Sequence, residues 1–109
     1  MKLALLIGGI ILAGSAQAQY QTGNDLIQDI RSNSAIDRMF AAGYITGVAD
    51  VGNRVSYCIP KGVNVGQLVD VSQKFLTEAP EIRDLAADAL LIQLFSKTWP
   101  CARNGRKES

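Results

Sequence analysis

No histidine occurs among the 109 residues. The commonest general base at neutral pH, which is also the commonest nitrogen ligand for metals, is therefore missing. Cysteine occurs twice, at Cys58 and Cys101, and proline three times, at Pro60, Pro80 and Pro100. Charge excess is absent too, with 11 Lys and Arg against 10 Asp and Glu. A nearly neutral chain has no electrostatic footprint for a phosphate backbone, which excludes nucleic acid as a partner. Phosphate-cradling glycine loops are missing as well: Gly43-x-x-x-Gly47 and Gly62-x-x-x-Gly66 lack the lysine and the preceding strand that such loops require. Without histidine, and with the two cysteines paired to each other, no metal-ligand set or thiol nucleophile remains. The sequence implies no cofactor, no metal and no catalytic residue.

What is present begins with an export signal. Lys2 precedes an apolar run from Leu3 to Ala13, and Ala16-Gln17-Ala18 is a small-x-small cleavage site. Residues 1–18 read as a signal peptide cut after Ala18. The run is too short for a comfortable membrane span, and no cysteine near the cut offers a lipid anchor, so the mature chain has no stable membrane attachment. The competing reading is an uncleaved N-terminal anchor. Removal of these residues leaves 91, enough for one domain, and takes Lys2 with it, so the formal charge falls from +1 to zero. Two cysteines in an exported chain imply one disulfide, Cys58–Cys101; two free thiols would be the reading for a chain kept in the cytosol. Closing a ring of this size stabilises by roughly 4 kcal/mol in the chain-entropy picture, a large share for a small domain.

The hydrophobic pattern is helical throughout. Asn24 can cap a first helix with Leu26, Ile27 and Ile30 on one face. Ser34, with Asp37 as its weaker capping partner, starts a second helix over about residues 35–51. Its large apolar residues Ile36, Phe40, Tyr44, Val48 and Val51 form one stripe, flanked by Met39, Gly43 and Gly47. Two glycines four apart suggest that another backbone packs closely there. Ala41, Ala42, Ile45 and Ala49 make later turns apolar nearly all round, which places this helix at the centre of a bundle, with Gly52 as its C-cap. Residues 53–64 form the longest irregular stretch. Asn64 and Gln67 spell a capping box for a third helix with Leu68, Val69, Val71, Phe75 and Leu76 inward. Pro80 fits the start of a fourth helix carrying Ile82, Leu85, Ala86, Ala89, Leu90 and Phe95, stopped by Pro100. The expectation is an all-α fold: a small bundle of about four helices with one disulfide, over residues 19–101, followed by a charged, solvated tail at 102–109.

Asp50 is the carboxylate to weigh, because it falls on the apolar second helix. No nucleophile–base pair can be built around it, so its role reads as structural. Tyr44, Tyr57 and Trp99 read as core or core-edge aromatics. By elimination, the chain binds another protein.

A more specific likeness appears in the motifs. Gly43-Tyr44-Ile45-Thr46-Gly47-Val48-Ala49-Asp50, then Cys58-Ile59-Pro60-Lys61-Gly62-Val63 and Gly66-Gln67-Leu68, resemble blocks of one family in order and spacing. Phe75-Leu76, Pro80-Glu81, Trp99-Pro100-Cys101 and the opening Gly23-Asn24-Asp25-Leu26 fit the same register. The chain resembles the Rap/Tai family of type VI secretion amidase immunity proteins over nearly all of its mature length. The resemblance implies a small helical bundle in the periplasm, often a homodimer, that binds and blocks a secreted peptidoglycan amidase and so protects sister cells. It also implies that Gly43, Tyr44, Gly47, Asp50, Pro60, Gly62, Gln67 and Pro100 belong to the family's structural signature. Many members carry two further cysteines; the corresponding stretches here, Gln28–Arg31 and Phe40–Ala42, hold none, so the first helix is less tightly tied to the second.

An inhibitor of this kind needs only a surface that fills an enzyme cleft, and a disulfide-braced loop lowers the ordering cost. The contact candidates are Asn53, Arg54, Tyr57 and Lys61 in the irregular loop, and Gln73, Lys74, Thr77, Glu78 and Glu81 around the turn between the last two helices. A second class of function is a periplasmic acid-stress chaperone, with carboxylates as its trigger; without histidine the switch would lie near pH 4.

Overall fold

The computed structural model describes residues 21–102; the expected signal peptide and the tail from Arg103 onward lie outside them. Four α-helices make up the described chain: α1 (Gly23–Ile30), α2 (Ala35–Gly52), α3 (Val65–Glu78) and α4 (Ala87–Thr98). Each of the other helices packs on α2, which is the hub of the bundle.

Local chemistry sets the helix starts. Thr22, not Asn24, caps α1: its hydroxyl accepts from the Asp25 amide at 3.1 Å while the Asp25 carboxylate accepts from the Thr22 amide at 3.1 Å. Asn24 already lies inside the helix, with its amide donating to the Arg83 carbonyl at 2.8 Å. Ser34 caps α2, accepting from the Asp37 amide at 3.4 Å, but the Asp37 carboxylate accepts from the Ser32 hydroxyl at 2.7 Å instead of closing the box. Asn64 and Gln67 form the expected reciprocal pair at the start of α3, with bonds of 2.8 and 2.9 Å.

Two expectations about the core require correction. In α2 most of the expected stripe faces outward, although Tyr44 and Val48 pack half-buried against the core. Ala41, Ile45 and Ala49 are buried, whereas Ile36 (76% exposed), Met39 (70%), Phe40 (59%) and Val51 (82%) point to solvent. A helix contacted from several sides turns its smallest side chains toward its neighbours, because they allow the closest axial approach. The backbone expected at Gly43 and Gly47 is also missing among the described residues: none of them outside α2 lies within 4 Å of a Cβ built at either position.

The second correction concerns the fourth helix. Pro80–Ile82 makes one 3-10 turn, and α4 starts only at Ala87. Between them the backbone pairs with the segment before α1. The Gly23 amide donates to Leu85 O at 3.0 Å, the Ala87 amide donates to Gln21 O at 2.8 Å, and Thr22 bridges Ala86. An amide has one proton to donate, so the Ala87 amide spent on Gln21 O cannot also close a helical turn onto Arg83 O. Consequently Leu85 and Ala89 are exposed, while Ala87, Leu90, Leu91 and Phe95 fill the core. Gly23 sits where this segment crosses α4: a Cβ there would lie 2.7 Å from Leu90 Cδ1 and 3.0 Å from Arg83 O.

Cys58 and Cys101 are bonded, with Cα atoms 4.9 Å apart and a sequence separation of 43. The Cys58 amide donates to Trp99 O at 2.8 Å, so a hydrogen bond lies beside the covalent link. Tyr57, Phe95 and Trp99 stack in series next to it, with centroids 5.4 and 5.9 Å apart.

Candidate functional site

The chain reverses sharply after α2. The Gly52 carbonyl accepts from the Val55 and Ser56 amides at 2.9 and 2.8 Å, and the Arg54 amide donates to Tyr57 O at 2.6 Å. Asn53 turns its side chain inward, Oδ1 accepting from the Ile59 amide at 2.8 Å. Tyr57 is fully buried, and its hydroxyl donates to Val48 O at 2.6 Å, pinning the turn to the last turns of α2. Burial pushes the Tyr57 phenol above its ordinary range, and the Asp50 carboxylate adds to the shift. Gly52 is required by that close approach, because a Cβ on it would run into the Tyr57 hydroxyl and ring.

Of the loop residues proposed for contact, Arg54 and Lys61 are exposed, Asn53 is half-buried and Tyr57 is interior. Tyr57 thus supports the turn from within and does not present itself on the surface. Arg54 has φ +73°, the one left-handed non-glycine backbone among the described residues.

The second group is gathered at the end of α3. Arg31, Asp70, Gln73, Lys74, Thr77 and Glu78 line a polar groove of about 500 Å³. Arg31 donates to the Thr77 hydroxyl at 2.8 Å, and Lys74 pairs with Glu78 at 2.8 Å, both at the surface. Such an exposed pair adds little to stability. Glu81, on the 3-10 turn, is exposed and does not line this groove. Pro60 and Gly62 are exposed, Gln67 caps α3, Pro100 follows the end of α4, and Asp50 is exposed near the end of α2.

The feature that sequence reasoning missed is the outer side of α2. Gly43, Tyr44, Gly47, Val48, Val51, Val55 and Ile92 line an open groove of about 570 Å³ that is almost entirely apolar. The unusual glycine pair was the signal for it, but it was assigned to packing within the chain. Burial raises the Tyr44 phenol above its usual range, and Asp88 on the opposite lip raises it further. Among the described residues, no group of three or more His, Cys, Asp or Glu side chains is placed to hold a metal ion, and no helix is long and apolar enough to cross a membrane.

The arrangement is therefore a helical scaffold with a braced turn, a polar groove and an uncovered apolar face. No curated protein matches the chain. A family model described as Rap1a immunity proteins matches residues 22–101, from the Thr22 cap of α1 to the second cysteine of the disulfide. That span takes in every helix described above, and the chain belongs to the Rap1a immunity protein family.

Proposed function

We propose that this immunity protein acts in the periplasm, where it binds and inhibits a type VI secretion peptidoglycan amidase and so protects its own cell and sister cells. The family supports an immunity role that inhibits an effector and catalyses no reaction. The amidase, the compartment and the mode of contact complete the proposal. Its main support is the rigid Gly52–Tyr57 turn, held by backbone bonds on one side and the Cys58–Cys101 link on the other. A loop ordered before the encounter loses little entropy on entering a cleft. Titrating the mature chain into type VI amidases from the same bacterium, while following cleavage of peptidoglycan peptides, tests it. Stoichiometric loss of activity is expected; unchanged cleavage with every amidase, and no protection of cells producing one in the periplasm, sinks the reading.

The reading includes a homodimer paired through α2. Ile36, Met39, Phe40, Val51 and Ile92 are each 40–82% exposed. A standard interface takes about 800 Å² from each partner, and these side chains supply most of it. An immunity protein must persist alone until an effector arrives, and a bare apolar patch of that size is an aggregation liability. A second copy removes it: in a two-fold interface each chain would offer Phe40 to the open space over Gly43 and Gly47 of the other. The same uncovered face is what a client-holding chaperone would use. Strong binding of an apolar-surface dye at neutral pH by a monomeric chain would favour that alternative; a dimer with little dye binding disfavours it.

A further inference from the structure

Arg54 occupies a backbone conformation that its side chain disfavours. At φ +73° the Cβ crowds the backbone, and glycine or asparagine would sit there more easily. The bend lets the Arg54 amide close the turn onto Tyr57 O at 2.6 Å, a bond that glycine or asparagine would make equally well, and the arginine side chain itself gains no partner among the described residues. The other three described arginines each donate to a protein oxygen: Arg31 to Thr77 at 2.8 Å, Arg38 to Ser32 O at 2.8 Å, and Arg83 to Leu76 O at 3.1 Å. Among the described residues none accepts a hydrogen bond from the Arg54 guanidinium, and the ion pair formed, Lys74–Glu78, does not involve it.

The turn beneath Arg54 is nevertheless firmly built. Tyr57 anchors it from the core, Asn53 closes it toward Ile59, and Ser96 on α4 donates to Ser56 O at 3.4 Å. The disulfide begins one residue past Tyr57. The chain therefore keeps an arginine at a disfavoured position, on its most braced turn, with the cation unpaired among the described residues and Val55 beside it 79% exposed. A strained position whose side chain finds no partner among the described residues points to a contact outside the molecule.

We infer that Arg54 is the anchor of the effector interface and that its guanidinium seats on a carboxylate in the effector. The inference rests on the immunity reading above and names the residue and the chemistry. A planar guanidinium matches a carboxylate with two parallel hydrogen bonds, which an ammonium cannot reproduce. The exposed valine beside it supplies an apolar rim that excludes water from the pair when the surfaces close, the usual setting of an arginine that dominates an interface. The fixed turn delivers the fork in one orientation, so little is lost in ordering it.

Three readouts on the mature chain test this: affinity for the amidase that the wild type inhibits, thermal melting, and association state by sedimentation. The variants are Arg54→Gly and Arg54→Lys. Arg54→Gly is expected to melt at or above the wild-type temperature, to keep the wild-type association state, and to bind the amidase at least about tenfold more weakly, as loss of an interface anchor requires. Arg54→Lys is expected to bind more weakly than the wild type as well, although its charge is kept. Binding of Arg54→Gly within about twofold of wild type overturns the inference while leaving the immunity reading intact. A lower melting temperature for Arg54→Gly, or an altered association state with binding retained, also overturns it, by assigning Arg54 to the fold or to the dimer. If the wild type binds none of the amidases, the immunity reading fails and this assignment goes with it.

Discussion

Replacing both cysteines by serine isolates the contribution of the one covalent cross-link. Cys58 is half-buried and Cys101 exposed, so the serines leave almost no cavity and strand no buried polar group. The Cys58 amide keeps its 2.8 Å bond to Trp99 O in the folded state. The effect therefore falls on the unfolded chain, which is freed from a loop spanning 43 residues of sequence separation. Loop-closure entropy for that span gives roughly 4 kcal/mol, and for a domain of this size each kcal/mol moves the melting temperature by about 4–8 °C. A drop of roughly 15–30 °C follows, and a domain with typical marginal stability would be close to unfolding at growth temperature. Circular dichroism melts of Cys58→Ser/Cys101→Ser, and of the wild type with and without a thiol reductant, should agree with each other. Urea titration should show a larger m-value for the uncrosslinked chain, because its unfolded state exposes more surface. Melting of the reduced protein within a few degrees of the oxidised one would refute the reasoning, since it would mean that the unfolded chain already keeps the regions around Cys58 and Cys101 together without the bond.

Three further outcomes can be checked with the same preparations. Gly52→Ala should destabilise the fold by about 1–3 kcal/mol in urea, because the added methyl displaces the Tyr57 ring from its seat; an unchanged midpoint would mean that the turn yields easily. Phe40→Asp should leave a monomer with nearly wild-type stability at high dilution, since this 59% exposed ring adds nothing to the core of its own chain; a wild type that sediments as a monomer at all concentrations excludes the α2 pairing. Stability should decline in strongly alkaline solution. Tyr44 and Tyr57 have raised folded pKa values, so their contribution is complete below the unfolded tyrosine value of about 10 and is lost as pH rises beyond it. Urea midpoints on either side of that pH check this, and a flat profile contradicts it.

Much of the bundle was legible from short-range chemistry. The Ser34 cap and the Asn64/Gln67 box are contained within four residues, and the pairing of two lone cysteines in an exported chain has one solution. What stayed hidden depends on distant contacts. The late start of α4 follows from backbone bonds between Gln21–Asn24 and Arg83–Ala87, which no local pattern announces. The orientation of α2 was misjudged because large apolar residues ordinarily mark the buried side, whereas a hub helix buries Ala41 and Ala49 and leaves Phe40 outside. The same misjudgement hid the candidate surface: Gly43 and Gly47 were correctly noticed as unusual but assigned an intrachain neighbour. The inward position of Tyr57 was foreshadowed by its reading as a core aromatic more than by its place among contact residues.

The way α4 is fastened has a dynamic consequence. Helix ends normally fray, and a helix that begins at Ala87, with only Ala86 in the cap position and no side-chain cap, should fray first. Here the first amide of α4 is held by Gln21 O, and the residue after its last turn is tied through Trp99 O and the disulfide to Cys58. Opening either end requires the release of a segment remote in sequence, so α4 opens as a unit with its clamps and not by unzipping from its tips. The Ala87 amide should therefore exchange with solvent more slowly than the first amide of an unclamped helix, whereas the amides of Asp88 and Ala89, unpaired among the described residues, should exchange freely.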